Sequence, residues 1–281
     1  MPRLPVAVPA LRPLVLVCAV LCGAGGHVAW AAQAPDASAP ASLAAAEHLY
    51  FNGEYVAAAA MALALRTADP TNLGAYELGT SAIHFQIKRL MGDGKDRVKA
   101  LKACTPCPAL LASFAEETTR GVAAARAHLV EAPQDLEATF LLGKLNLNHV
   151  WLQIGTLGRR TAWSEYREAR RLVETVLKRE PGHVRARVAH AWIEYIVDTR
   201  VPFLFKWAMG GGDKKKSLAE MRKAAEAEAP FMVRTEARFA LWEMLNRDKR
   251  VAEAAVPARA LLVDFPGNLE VAAFLQKHDR R

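Results

Sequence analysis

The strongest constraint on this chain is a recurring helix stop. Pro70, Pro133, Pro181, Pro230 and Pro266 each follow an apolar-periodic stretch of the same internal design. Twelve residues before them stand Ala58, Gly121, Ala169, Leu218 and Ala254. Eight before stand Ala62, Ala125, Val173, Arg222 and Ala258, and five before stand Leu65, His128, Val176, Ala225 and Leu261. Side chains at these offsets share one helix face, and a proline past the end cannot continue the backbone hydrogen-bond ladder. A helical unit that recurs in this way predicts stacked helical hairpins.

Periodicity begins near Ser42. It predicts helices over Ala44 to Tyr50, Tyr55 to Ala68, Leu73 to Met91, Leu110 to Val130, Leu136 to Leu152 and Trp163 to Arg179. Further helices follow over Val184 to Asp198, Lys214 to Glu228, Phe231 to Leu245, Ala252 to Val263 and Leu269 to His278. Asn52-Gly53 and Gly92-Asp93-Gly94 supply breakers between them. No segment sustains the alternation of a strand, so the expected class is all-α.

Leu142-Gly143 in a first helix, then Tyr166, Ala169 and Pro181 in the next, resemble the tetratricopeptide repeat (TPR). Gly53, Tyr55, Ala58 and Pro70 fit the same frame, as do Ala254 and Pro266-Gly267-Asn268. The resemblance implies a right-handed α-solenoid of about five TPR-like hairpins over residues 42–281. Successive prolines stand 63, 48, 49 and 36 residues apart. Three units therefore exceed the usual repeat by roughly 29, 14 and 15 residues. The surplus falls between the first and second helix of a unit, at about Gly92 to Ala109, Gln153 to Ala162 and Thr199 to Asp213. In a stacked array such enlarged loops share one edge.

The start of the chain resembles an export signal. Arg3 and Arg12 precede an apolar run from Leu14 to Leu21, and Ala29-Trp30-Ala31 is a small-x-small cleavage pattern. Residues 32–41 then form a flexible leader rich in Ala, Pro and Ser. An exported TPR-like chain is similar to the T-component of TRAP-type periplasmic transporters, which implies a periplasmic protein working through contacts with protein partners. The chain carries 37 Lys and Arg against 29 Asp and Glu, interspersed on helical faces. No dense basic stripe with aromatics between its charges points to nucleic acid.

Cys104-Thr-Pro-Cys107 is the sharpest local motif. Outside a reducing compartment it reads as a disulfide clip on the longest insert, with thiol-disulfide exchange as the alternative. Exchange sites usually sit on a thioredoxin-like scaffold, which an all-α pattern lacks. Pro108 stands where a haem-attachment motif requires histidine. Gly210-Gly211-Gly212-Asp213-Lys214-Lys215-Lys216-Ser217 lacks the glycine that must precede the lysine of a phosphate loop, so Asp213 reads as a helix cap. His190 and Glu194 lie one turn apart, too few for a metal site. Neither a catalytic constellation nor a cofactor motif is present.

The expectation is therefore a non-catalytic scaffold that docks a protein or peptide along its first helices, with Leu142, Asn146, His149, Trp192 and Tyr195 lining the groove. A small-ligand accessory of a transport system is the alternative, with the apolar insert Val201-Pro202-Phe203-Leu204-Phe205-Lys206-Trp207 closing the pocket. That insert, with candidate contacts Phe203, Phe205 and Trp207, is expected to fold down as a lid that buries its rings. Its alternative is an exposed patch.

Overall fold

The computed structural model describes residues 41–159, 161–201 and 203–278, apart from the side chains at 203, 205 and 208. The signal-like segment, and the leader up to residue 40, lie outside the described residues. Helix α1 spans Leu43–Phe51, α2 Tyr55–Ala68, α3 Leu73–Met91, α4 Arg97–Ala103, α5 Cys107–Glu131 and α6 Leu136–Val150. A π-helical turn, Trp151–Thr156, prolongs α6. Then come α7 Trp163–Arg179, α8 Val184–Arg200, α9 Phe203–Lys206 with a 3-10 turn at Trp207–Met209, and α10 Lys214–Glu226. The series ends with α11 Phe231–Arg247, α12 Val251–Asp264 and α13 Leu269–His278. Among the described residues there is no strand, so the class is all-α.

Local chemistry explains the boundaries. Ser42, Asn72, Asp96, Asp135, His183 and Asp213 each accept a hydrogen bond from a first-turn amide of the helix that follows. Pro70, Pro133, Pro181 and Pro266 each fall two residues past a helix end. Pro230 instead stands immediately before α11. Pro257 marks the limit of the rule, since it lies inside α12 without ending it.

The helices form two rows. Each second helix packs on the first helix of its own pair and on the helix that opens the next: α2 on α1 and α3, α5 on α3 and α6, α7 on α6 and α8. The same holds for α10 on α8 and α11, and for α12 on α11 and α13. All five residues twelve before the prolines are buried at these crossings. Gly121 shows why small residues sit there. A Cβ added to it would lie 2.8 Å from Tyr76 Cβ on α3 and 3.1 Å from a methyl of Leu145 on α6.

First helices also touch one another, and α1 packs against α11. Asn52 Oδ1 accepts from the Gly267 amide at 2.8 Å, and Asn268 Nδ2 donates to the Phe51 carbonyl at 2.8 Å. Phe51 stacks on Phe239 with ring centroids 5.2 Å apart, and fully buried Phe265 sits among His48, Phe51, Phe231 and Phe239. The first described hairpin is thereby sewn to the last.

The first two inserts meet. Arg97 Nε, at the start of α4, donates to the Thr156 carbonyl at 2.7 Å, and Thr156 Oγ1 shares a 2.8 Å hydrogen bond with His84. The third insert lies against the start of α7, where Tyr166 OH donates to the Met209 carbonyl at 2.9 Å.

The crossing at Gly121 yields a test. Gly121→Ala forces Tyr76 aside and lowers stability by roughly 1–3 kcal/mol, as overpacking does. Gly182→Ala, where an added Cβ meets nothing within 4 Å, leaves stability nearly unchanged. Urea titration of both variants measures the difference.

Candidate functional site

The residues expected to line an inner groove lie on α6 and α8 but are largely consumed by packing. Leu142, Asn146 and Tyr195 are buried, and Asn146 Nδ2 donates to Glu168 Oε2 at 3.0 Å. His149 is half-buried, 6.3 Å from the Phe114 ring. Trp192 is also half-buried, meeting Tyr195 edge-on at 5.7 Å, with the Arg247 guanidinium 5.6 Å from its ring.

A groove lies elsewhere, on the second helices. About 330 Å³ opens between α2 and α5, and α3 forms its floor. Val56, Ala60 and Leu63 supply one wall at helical spacing, Leu110 and Ser113 the other, and Gly79, Ile83 and Gln86 the floor. Val56 is 72% exposed and Leu63 48%, on a helix whose buried side is Tyr55, Ala58 and Ala62. Glu117 of α5 pairs with Arg66 of α2 within this lining. The Arg66 Nε is buried and has no hydrogen-bond partner, so a donor in the groove lining is unsatisfied.

The Cys104–Cys107 disulfide braces the α5 wall. Cys107 is fully buried and Cys104 nearly so, packed with Ile83, Ile87, Met91 and Phe114, one turn from Leu110. A disulfide so enclosed offers little access to an attacking thiolate, which favours the clip over exchange chemistry.

The third insert departs from the lid expectation. Leu204 is 74% exposed and Trp207 81%, so neither folds down, because the insert is held by its backbone instead. Arg170 donates to the carbonyls of Met209 at 2.8 Å and Gly210 at 3.0 Å, while Lys206 pairs with Asp198 at 2.6 Å. The side chains of Phe203 and Phe205 lie outside the described ones. Asp213 caps α10 through the Lys216 amide at 2.9 Å, as its place after the glycines suggested. His190 lies 3.9 Å from Glu194, which is itself paired with Arg170. Among the described residues no group of three or more ligating side chains could hold a metal ion.

Charges fill the space between the first helices. Arg185 of α8 reaches Glu236 of α11 at 2.8 Å, Glu77 of α3 at 3.2 Å and Glu137 of α6 at 3.2 Å. Its guanidinium also lies 4.8 Å from the Phe140 ring. Lys144 of α6 bridges Glu236 at 2.9 Å and Glu77 at 3.7 Å. Burial would raise the Glu236 carboxyl, but Lys144 and Arg185 prevail and hold it down to about 2. Glu47 of α1 is the unbalanced member. Burial, joined by the charges of Glu77, Glu236 and Glu137 and opposed by Arg185, raises it to about 7.

Sequence reading missed both features. The groove had a signal in the apolar stripe of Val56, Ala60 and Leu63, which faces outward where a binary pattern asks for polar residues. The network had none, because five helices each contribute one or two ordinary surface-type residues.

Glu47 generates a pH test. A carboxyl raised in the folded state contributes stability below its ordinary value of 4.5 and loses it as pH rises through about 7. Glu47→Gln therefore matches wild type near pH 4.5 and exceeds it by about 1–2 kcal/mol at pH 8, after discounting for partial exposure. Burial lowers His84 to about 3, giving the opposite slope below 6.5, which cancels in the comparison. Denaturant titrations across pH report the difference.

Comparison of the chain with protein-family models and with curated proteins gives no match.

Proposed function

We propose that this chain is an exported, TPR-like repeat scaffold that binds a short apolar segment of a protein partner in the groove between α2 and α5, without catalysis of its own. The observation that carries the reading is that groove: an outward apolar stripe facing a second helix. An apolar side chain covering Val56 and Leu63 gains their hydration free energy. Helix-paired architecture and the buried small residues Ala58, Gly121, Ala169 and Ala254 at four of the five crossings support the repeat assignment. The signal pattern in residues 1–31 and the disulfide support an oxidising, periplasmic location.

Peptides selected from a displayed random library on residues 32–281 test the reading. They are expected to share apolar residues at a fixed spacing. Leu63→Glu, a change at a half-exposed position, weakens their binding by about tenfold or more, the loss typical of a central contact. Failure to enrich any peptide, or binding indifferent to Leu63→Glu in a variant that melts like wild type, contradicts the proposal.

A further inference from the structure

The groove leaves the third insert unexplained, and the insert carries a separate function. We infer that the segment from Arg200 to Lys216 is a contact for an anionic lipid surface, with Leu204 and Trp207 as the inserted side chains. Three observations on different atoms converge on it.

The first is presentation. Large apolar side chains that lie 74% and 81% exposed are ordinary when a loop is loose. This loop is fastened. Arg170 and Tyr166 bind the Met209 and Gly210 carbonyls, Gly211 donates to the Lys206 carbonyl at 2.8 Å, and Lys206 is tied to Asp198. Gly210, at φ +84°, has the left-handed backbone that glycine favours, and a Cβ there would lie 2.5 Å from the Arg170 guanidinium carbon. The anchors act on the backbone and leave Leu204 and Trp207 outside, so the ordering cost of presenting them is met within the fold.

The second is charge. Lys206 and Lys214 are neutralised by Asp198 and Asp248. Arg200 and Lys215 are exposed and make no ion pair among the described residues, whereas Lys216 shares a cleft with Glu194 and Glu220. The acid between them, Asp213, is turned to the Lys216 amide as a cap. The Asp198 side chain, which accepts from the Lys214 amide at 3.1 Å, ties the start of α10 to the end of α8, the two helix ends that carry these cations.

The third is size. A specific protein interface covers about 800 Å² on each partner, more than one projecting helical turn provides. An indole and a leucine on an insert flanked in sequence by the cations Arg200 and Lys215 instead match an interfacial anchor, where tryptophan settles at headgroup depth and each nearby cation adds attraction to anionic lipid. No described helix is long and apolar enough to cross a membrane, so this contact is with the surface.

Co-sedimentation of residues 32–281 with vesicles tests the inference. Vesicles of phosphatidylglycerol and phosphatidylcholine are expected to bind the protein, weakly at high salt, and pure phosphatidylcholine to bind it far less. Leu204→Ser/Trp207→Ser abolishes binding without changing the melt, since both positions are exposed. Arg200→Gln and Lys215→Gln each weaken it roughly fivefold. Brominated lipid quenches a tryptophan signal that Trp207→Ser removes. Leu63→Glu leaves vesicle binding intact, which separates this surface from the groove. Equal binding to neutral and anionic vesicles, or binding unaffected by the double serine change, overturns the inference. So does a protein partner lost on that change when vesicles never bind.

Discussion

Arg185 is the side chain through which the inner helices are held to one another. Its guanidinium bonds to carboxylates on α3, α6 and α11, and Lys144 adds a second bridge between two of them. Such charges lose much hydration on burial, and pairing returns it only when geometry is good. The net gain over an apolar core is small. Breaking the arrangement is expensive: an uncompensated buried charge typically costs about 3–5 kcal/mol. The network therefore fixes which helix faces which, while the small residues at the crossings set how closely they approach.

Two consequences follow for where binding occurs. With the first helices bridged by ion pairs and α1 packed on α11, the inner face is committed to internal contacts. A partner seeking it would have to displace charged pairs that are already satisfied. The second helices are bridged as well, by Arg66–Glu117, Arg126–Glu168 and Arg222–Glu253. Between α2 and α5 a groove nevertheless opens, with α3 as its floor and the disulfide at one wall. The groove proposed for binding therefore lies on second helices, not on the first helices where the repeat pattern suggested it.

Much of the scaffold was legible in the sequence because it rests on local rules. Prolines end helices through a missing donor, and residues such as Ala58, Ala169 and Ala254 are small because a neighbouring backbone lies close. The all-α class and most helix limits came from those signals. What escaped depends on distance. Glu77 and Arg185 are separated by 108 residues, and nothing near either one announces the other. The same blindness placed Leu142 and Tyr195 on a binding face when they are buried. It also made the third insert a lid. Hydropathy alone favours burying Trp207, but the backbone anchors supplied by Arg170, far away in sequence, decide otherwise.

An open array of repeats frays from its ends, since each terminal unit has a neighbour on one side only. Here the ends support each other through Asn52, Asn268 and the rings around Phe265. Native-state hydrogen exchange on residues 32–281 separates the two cases. Closure predicts that the central amides of α2 and α12 exchange with nearly the same opening free energy as those of α6 and α8. A first hairpin that opens several kcal/mol more easily than the centre would contradict it.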